Sequence, residues 1–183
     1  MPGPFVTPVH GDLELPEAVD VVVIGGGIIG VSTALELAER GVSVALCEKG
    51  GIGQEQSSRN WGWVRISRRD PREVPLMAEA LRLWKDIDRR TGRATGYTRS
   101  GIVFTCESDK DVENYTRWIR HLEPWQIESR MLSPDEFKAM YPEAQFAVKG
   151  ALYTPADGRA EPQIAAPAIA EAGRDRGAAV LTE

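Results

Sequence analysis

The sequence is poor in the residue types that build metal sites and stapled folds. Its 183 residues include only two cysteines, Cys47 and Cys106, and two histidines, His10 and His121. Two cysteines without Cys-x-x-Cys spacing give no disulfide framework, and histidines isolated in sequence give no zinc site, so no metal is expected. No run approaches the roughly 20 apolar residues that span a bilayer. Basic charge is also short: 22 Lys and Arg against 27 Asp and Glu leave a net charge of −5. That balance opposes rather than assists contact with phosphate backbones or anionic lipid. Neither nucleic acid nor a membrane span is expected. The first residues carry three prolines before residue 10 but no basic start and no apolar stretch. They read as a loose arm over 1–19 rather than a secretory signal, and the protein as cytoplasmic.

What is present fits a globular α/β protein. At about 150 residues per domain the chain holds little more than one domain, and 42% hydrophobic residues with 27% charged are enough for one core. Residues 20–50 run DVVVIGGGIIGVSTALELAERGVSVALCEKG, which reads as strand, glycine turn, helix, strand. Val21 to Ile24 is short and uniformly apolar, which predicts a parallel strand covered on both faces. The helix is expected from Gly27, with Ile28, Val31, Leu35 and Ala38 inward, Glu36, Glu39 and Arg40 solvated, and Gly41 as its cap. Val42 to Cys47 is the second strand.

Residues 50–71 have no clear period and read as a long ordered loop with a short helix, since Trp61 and Trp63 argue against disorder. A helix follows, with Leu76, Ala80, Leu83, Trp84 and Ile87 on one side, ending at Gly92 or Gly96. Residues 101–106 form a strand, and 109–124 are helical. Ser133, Pro134 and Glu136 mark the start of another helix. Residues 150–155 return to strand, ADGRAEP is a loop, and an alanine-rich helix with an internal proline leads to the start of a last strand. Cys47, Cys106, Trp84, Trp118 and Trp125 read as core, and His121 as a surface residue.

The chemistry is carried by Gly25-x-Gly27-x-x-Gly30, which follows a strand and opens a helix, with acidic Glu48 at the end of the next strand, 18 residues after Gly30. This is the dinucleotide-binding fingerprint in its required context. Gly25 permits the tight turn, Gly27 lets backbone approach a pyrophosphate, and Gly30 lets helix and strand pack closely. The helix start offers free N–H groups to the anion, and Glu48 would accept from an adenosine ribose. NAD and FAD share this fingerprint.

From Glu48 the sequence continues Lys49-Gly50-Gly51-Ile52-Gly53-Gln54-Glu55-Gln56-Ser57-Ser58-Arg59-Asn60-Trp61-Gly62. Here the chain resembles the glycine/D-amino acid oxidase family of FAD-dependent oxidoreductases, which includes sarcosine oxidases and amine dehydrogenases. The resemblance implies FAD, with Ile28 and Lys49 among the cofactor-binding positions and Ser57 and Ser58 on the diphosphate or ribitol. It puts Arg59, Asn60, Trp61 and Gly62 near the isoalloxazine. The alternative for Ser57 and Ser58 is the capping of a short helix. Arg65-Ile66-Ser67-Arg68 is similar to the family's R-I-x-R segment, which makes Arg65 and Arg68 the candidate catalytic residues, facing flavin and a substrate carboxylate. Arg69 and Arg72 are also compatible with a solvated basic face. Asp157-Gly158 followed by Pro162 is similar to the family's D-G-x-x-x-P turn, whose role is chiefly structural.

The resemblance implies a Rossmann-like FAD-binding domain begun by 20–96, part of an α+β substrate domain over 97–152, and a return to the FAD domain over 153–183. Family members are about twice this length, so the chain is expected to be an N-terminal portion whose sheet keeps an uncovered edge. The implied reaction is hydride transfer from the C–H beside the nitrogen of a small amine or amino acid. Alternatives are a non-catalytic, truncated nucleotide-binding remnant, an NAD(P)-dependent enzyme, or a fold completed by a second polypeptide.

Overall fold

A computed structural model describes residues 4–183 of the chain. They form two compact units. One gathers the chain up to Gly62, Asp86–Tyr97 and Ala160–Glu183; the other gathers Trp63–Lys85 and Thr98–Arg159. This differs from the partition at 96 and 153. Trp63–Lys85 belongs with the second unit because Ile66 and Val74 are buried there against Leu122.

The first unit is built on the strand-helix-strand order that the sequence predicts. β1 (Val21–Ile24) leads through the glycine turn to α1 (Ile28–Glu39) and then β2 (Val44–Cys47). β1 pairs parallel with β2, from Val21 opposite Val44 to Ile24 opposite Cys47. The chain's last residues do complete a strand, β8 (Ala179–Leu181), which pairs parallel with β2 and gives the sheet order β1-β2-β8. Helix α1 buries Val31, Ala34, Leu35 and Ala38, a stripe at steps of three and four. It ends as predicted. Gly41 takes φ +76°, and the Gly41 and Val42 amides donate to Ala38 and Leu37 carbonyls, both at 3.0 Å. Helix α6 (Pro162–Arg174) packs on α1 with a run of buried alanines, small enough that a Cβ on Gly173 would lie 3.6 Å from the Leu35 backbone.

Three expectations for this unit are corrected. β1 is covered on one face only: Val22 is 57% exposed and Ile24 88%, whereas Val21 and Val23, which alternate with them, are half-buried; β1 is also the edge strand of the sheet, paired with β2 alone. The arm is tied down over its described residues. Val6 and Val9 are buried, Thr7 donates to the Gln163 carbonyl, and Asp12 exchanges hydrogen bonds with Val180 through its backbone N–H and its carboxylate, each at 2.7 Å. Met1–Gly3 lie outside the described residues. Glu36 and Glu39 are not simply solvated, since Arg90 of the short α3 (Ile87–Thr91) reaches both at 2.5 Å.

The second unit centres on an antiparallel sheet. β4 (Ile102–Cys106) and β5 (Arg130–Leu132) flank β6 (Gly150–Thr154). Helices α4 (Asp109–Ile119) and α5 (Pro134–Met140) both start with capping boxes, Ser108 with Asp111 and Ser133 with Glu136. The two-residue strands β3 (Trp63–Val64) and β7 (Gly158–Arg159) pair antiparallel, so the stretches read as loops each contain a strand. Helix α2 (Val74–Lys85) presents Val74, Met77, Ala78 and Leu81 to the core rather than Leu76, which is exposed, and it stops before Asp86. Hydrophobic periodicity misled there because the apolar residues cover most of the helix circumference. Trp125 is not core but exposed, and Cys47 of the first unit is only half-buried. Among the described residues no helix is long and apolar enough to cross a membrane.

Candidate functional site

In the first unit the glycine turn opens a groove of about 510 Å³, lined from the turn and α1 by Val23 to Gly25, Gly27 to Gly30 and Thr33, and from the following loop by Gln56, Ser57 and Asn60. Its geometry follows from the glycines. Gly25 has φ +106°, which an L side chain rarely adopts, and a Cβ on Gly30 would sit 1.8 Å from the Gly25 carbonyl oxygen. The close contact that demands Gly30 is therefore with the turn itself. Gly27 is the N-cap of α1. The first-turn amides of a helix have no intrahelical acceptor; that of Ile28 donates to Ser57 Oγ at 2.8 Å, leaving those of Ile29 and Gly30 at the open helix end.

Of the predicted cofactor residues, Gly25, Gly27, Ile28, Gly30, Ser57 and Asn60 come together in the groove. Asn60 braces the loop: its amide nitrogen donates to the Gln56 and Ser57 carbonyls, both at 3.0 Å, and its Oδ1 accepts from Gly62 N–H at 2.7 Å. Glu48 stands behind the turn. Its carboxylate accepts from the Gly26 amide at 2.6 Å and the Gly50 amide at 3.0 Å, so it braces the glycine turn. Ser58 turns inward, buried, with its hydroxyl on the Glu55 carbonyl. Neither serine caps the short helical turn Gln56–Ser58, whose N-cap is Glu55 with no side-chain cap bond. Arg59 pairs with Glu55 at 3.1 Å, Lys49 is exposed, and Trp61 is 79% exposed. None of these lines the groove. Gln56, Ile29 and Thr33 were missed; Thr33 lies one helical turn after Ile29, and the helical period alone locates it.

The second unit holds the two candidate arginines. Arg65 lies 5.6 Å from the Trp63 ring and 5.4 Å from Phe104, and Arg68 lies 4.8 Å from Phe104 and 4.9 Å from Tyr115. Phe104 thus carries a guanidinium from each of two arginines. Burial, then the charge of Arg69, push the Arg65 pKa below its usual value; the group stays charged because its ordinary value is so high. Burial also raises the Tyr115 hydroxyl. Arg69 is half-buried and its carbonyl accepts from the Trp118 indole at 2.8 Å, whereas Arg72 is exposed and pairs with Asp70 at 2.6 Å. Asp70 falls to about 2 through that pairing.

Residues 20–183 match the family described as DAO, FAD dependent oxidoreductase. The chain belongs to this family. It is 32% identical to mouse mitochondrial sarcosine dehydrogenase over 98% of its own length and 20% of that protein's. Against glycine oxidase of Geobacillus kaustophilus it is 32% identical over 87% of its length and 44% of that protein's. The structure of L-amino acid deaminase from Proteus myxofaciens in complex with anthranilate superposes with a TM-score of 0.89 at 29% identity, over 98% of this chain and 41% of that one. The chain spans between a fifth and under half of these relatives. Membership decides the dinucleotide: FAD is the family's cofactor, and the NAD(P) alternative is set aside. The residues present fit it, since the helix end offers the Ile29 and Gly30 amides and the chain there is glycine at 25, 27 and 30; a Cβ on Gly27 would lie only 3.1 Å from Ser57 Oγ.

Proposed function

We propose that the first unit binds FAD and that the protein to which this sequence corresponds oxidises a small amine or amino acid. The observation that carries the reading is the open N-terminal end of α1, where Gly25, Gly27, Gly30 and Ser57 line one groove. The Ile29 and Gly30 amides bind the pyrophosphate, and Ser57 sets the loop against the helix end. Glu48 fixes the turn through Gly26, and with its remaining acceptor capacity takes a ribose hydroxyl. Lys49, Ser58, Arg59, Trp61 and Gly62 contribute to FAD binding by shaping the loop rather than by lining the groove.

Bound FAD supplies a two-electron acceptor for the hydride from the C–H beside the substrate nitrogen. Arg65 and Arg68 hold the substrate carboxylate, because a guanidinium fork matches a carboxylate with two parallel hydrogen bonds. Their aromatic supports restrict the side chains before substrate arrives, which lowers the entropy cost of binding. An N-methyl amino acid or an amino acid is the class that this chemistry selects. The setting is cytoplasmic, with both thiols reduced.

Anaerobic addition of sarcosine, proline and other amino acids to the FAD-loaded protein tests the reading. Bleaching of the visible flavin band by one of them is the expected result; no bleaching by any would overturn the oxidoreductase reading for this chain. The bare outer face of β1, with Val22 and Ile24 exposed, favours a companion reading in which a further polypeptide covers that face. Copurification of a second chain whose removal causes aggregation would support it; a stable, monodisperse isolated chain would remove it.

A further inference from the structure

Asp157 was read from sequence as part of a structural turn, and its surroundings give it a sharper task. It is fully buried. Its carboxylate accepts from the Ile66 amide at 2.7 Å, the Ser67 amide at 3.3 Å and the Ser67 hydroxyl. All three donors belong to the segment between Arg65 and Arg68. The same segment closes on itself: the Arg69 amide donates to the Ile66 carbonyl at 3.2 Å and the Arg65 guanidinium donates to the Ser67 carbonyl. Within that turn Arg68 has φ +55°. A non-glycine residue holds this left-handed conformation at a cost, and persists there only where its surroundings over-determine it. Strain of this kind points toward function when it falls on a residue with a chemical role.

We infer that Asp157 is the positioning residue of the arginine segment, clamping the Ile66–Ser67 backbone so that Arg65 and Arg68 are held on the Phe104 ring to receive a carboxylate. The inference rests on the reading of those arginines proposed above. A fold-only role would not call for a charged group, since burying an ionised carboxylate is expensive and a neutral acceptor can hold an amide. The charge has local employment: Arg65, Arg68 and Arg69 crowd three cations into five residues, and Asp157 is the buried anion that acts on Arg65. Buried, charge-assisted bonds also resist the loosening that repulsion between those cations would cause.

The test is side-chain NMR of the full chain, following the arginine Nε–H signals, joined to a fluorescence titration with anthranilate as the carboxylate probe. In Asp157→Asn the Arg65 and Arg68 signals should lose their dispersion and exchange with water at least tenfold faster, while the amide signals of the β4-β6-β5 sheet stay in place. The anthranilate Kd should rise tenfold or more. Unchanged arginine signals, or a loss of order spread evenly through the sheet, would overturn the positioning role. Should Asp157→Asn fail to fold, Ser67→Ala removes one donor and keeps two; it should give about a third of the exchange effect, and no effect would overturn the proposal. Arg65→Ala separates this from the carboxylate reading. If it leaves the anthranilate Kd unchanged while Asp157→Asn still frees the arginines, the clamp stands and the substrate assignment falls.

Discussion

An anion approaching the first unit meets backbone amides at Ile29 and Gly30, whose positions are set by glycines within the same turn. One approaching the second unit meets the guanidinium groups of Arg65 and Arg68, whose segment is fixed by a carboxylate 91 residues away from Ile66 in the chain. Both regions present positive charge, and they pre-organise it differently. The glycine turn does so by excluding side chains, so a single Cβ is enough to ruin it. The arginine segment does so by long-range hydrogen bonding and ring contacts, so its failures should be graded and local.

The largest effect should come from the turn. Gly30→Ala would drive a Cβ to 1.8 Å from the Gly25 oxygen, so the helix must shift; a loss of about 3 kcal/mol or more is expected, at the upper end for overpacking. Thermal unfolding and FAD uptake should both register it, and a variant that keeps wild-type Tm and flavin would break the contrast from the glycine side. Asp157→Asn comes next. Replacing one carboxylate oxygen by an amide donor leaves a buried N–H or hydroxyl of the Ile66–Ser67 segment unpaired, at a cost of about 1–3 kcal/mol, readable in urea denaturation. Ser57→Ala should cost about 1 kcal/mol, as the loss of a capping hydroxyl does, and should weaken FAD binding more than it lowers Tm. Equal loss of both would make Ser57 merely structural.

The smallest effect is a pH dependence. Burial outweighs the hydrogen bonds from Ser67 and Ile66 and the charge of Arg65, and raises the Asp157 pKa above its ordinary value. The native state therefore keeps this proton to higher pH than the unfolded chain does, and the contribution of Asp157 to stability falls as pH rises from the ordinary carboxylate value through the raised one. Asp157→Asn should flatten the stability profile in that window. A profile as steep as wild type would assign the slope to another group.

The same contrast explains what the sequence made legible. The strand-turn-helix-strand order of the first unit, the cap at Gly41 and the capping box at Ser133 are local, and residues a few places apart specify them. So were the groove positions Gly25, Gly27, Ile28 and Gly30. The one-sided burial of β1 was not legible, because an apolar run carries no record of which neighbours stand beside it. Glu48 was found but its present partners were not: the pattern names an acid at the strand end, while its bonds to Gly26 and Gly50 depend on how the loop folds back. The order Trp63, Arg65, Phe104, Arg68, Tyr115 on one surface needs β3 and β4 to be brought together, and periodicity cannot supply that. Asp157 was quoted in the right motif, but its bonds to Ile66 and Ser67, 91 and 90 residues away, were not legible for the same reason.

The central claim, that the glycine turn of this chain is an FAD site, is tested most directly by the absorbance spectrum of the purified protein after incubation with FAD and gel filtration, before and after denaturation. The account predicts a bound-flavin spectrum that is released on denaturation and absent from Gly30→Ala. A protein that emerges colourless, or a Gly30→Ala variant that retains as much flavin as wild type, would contradict it.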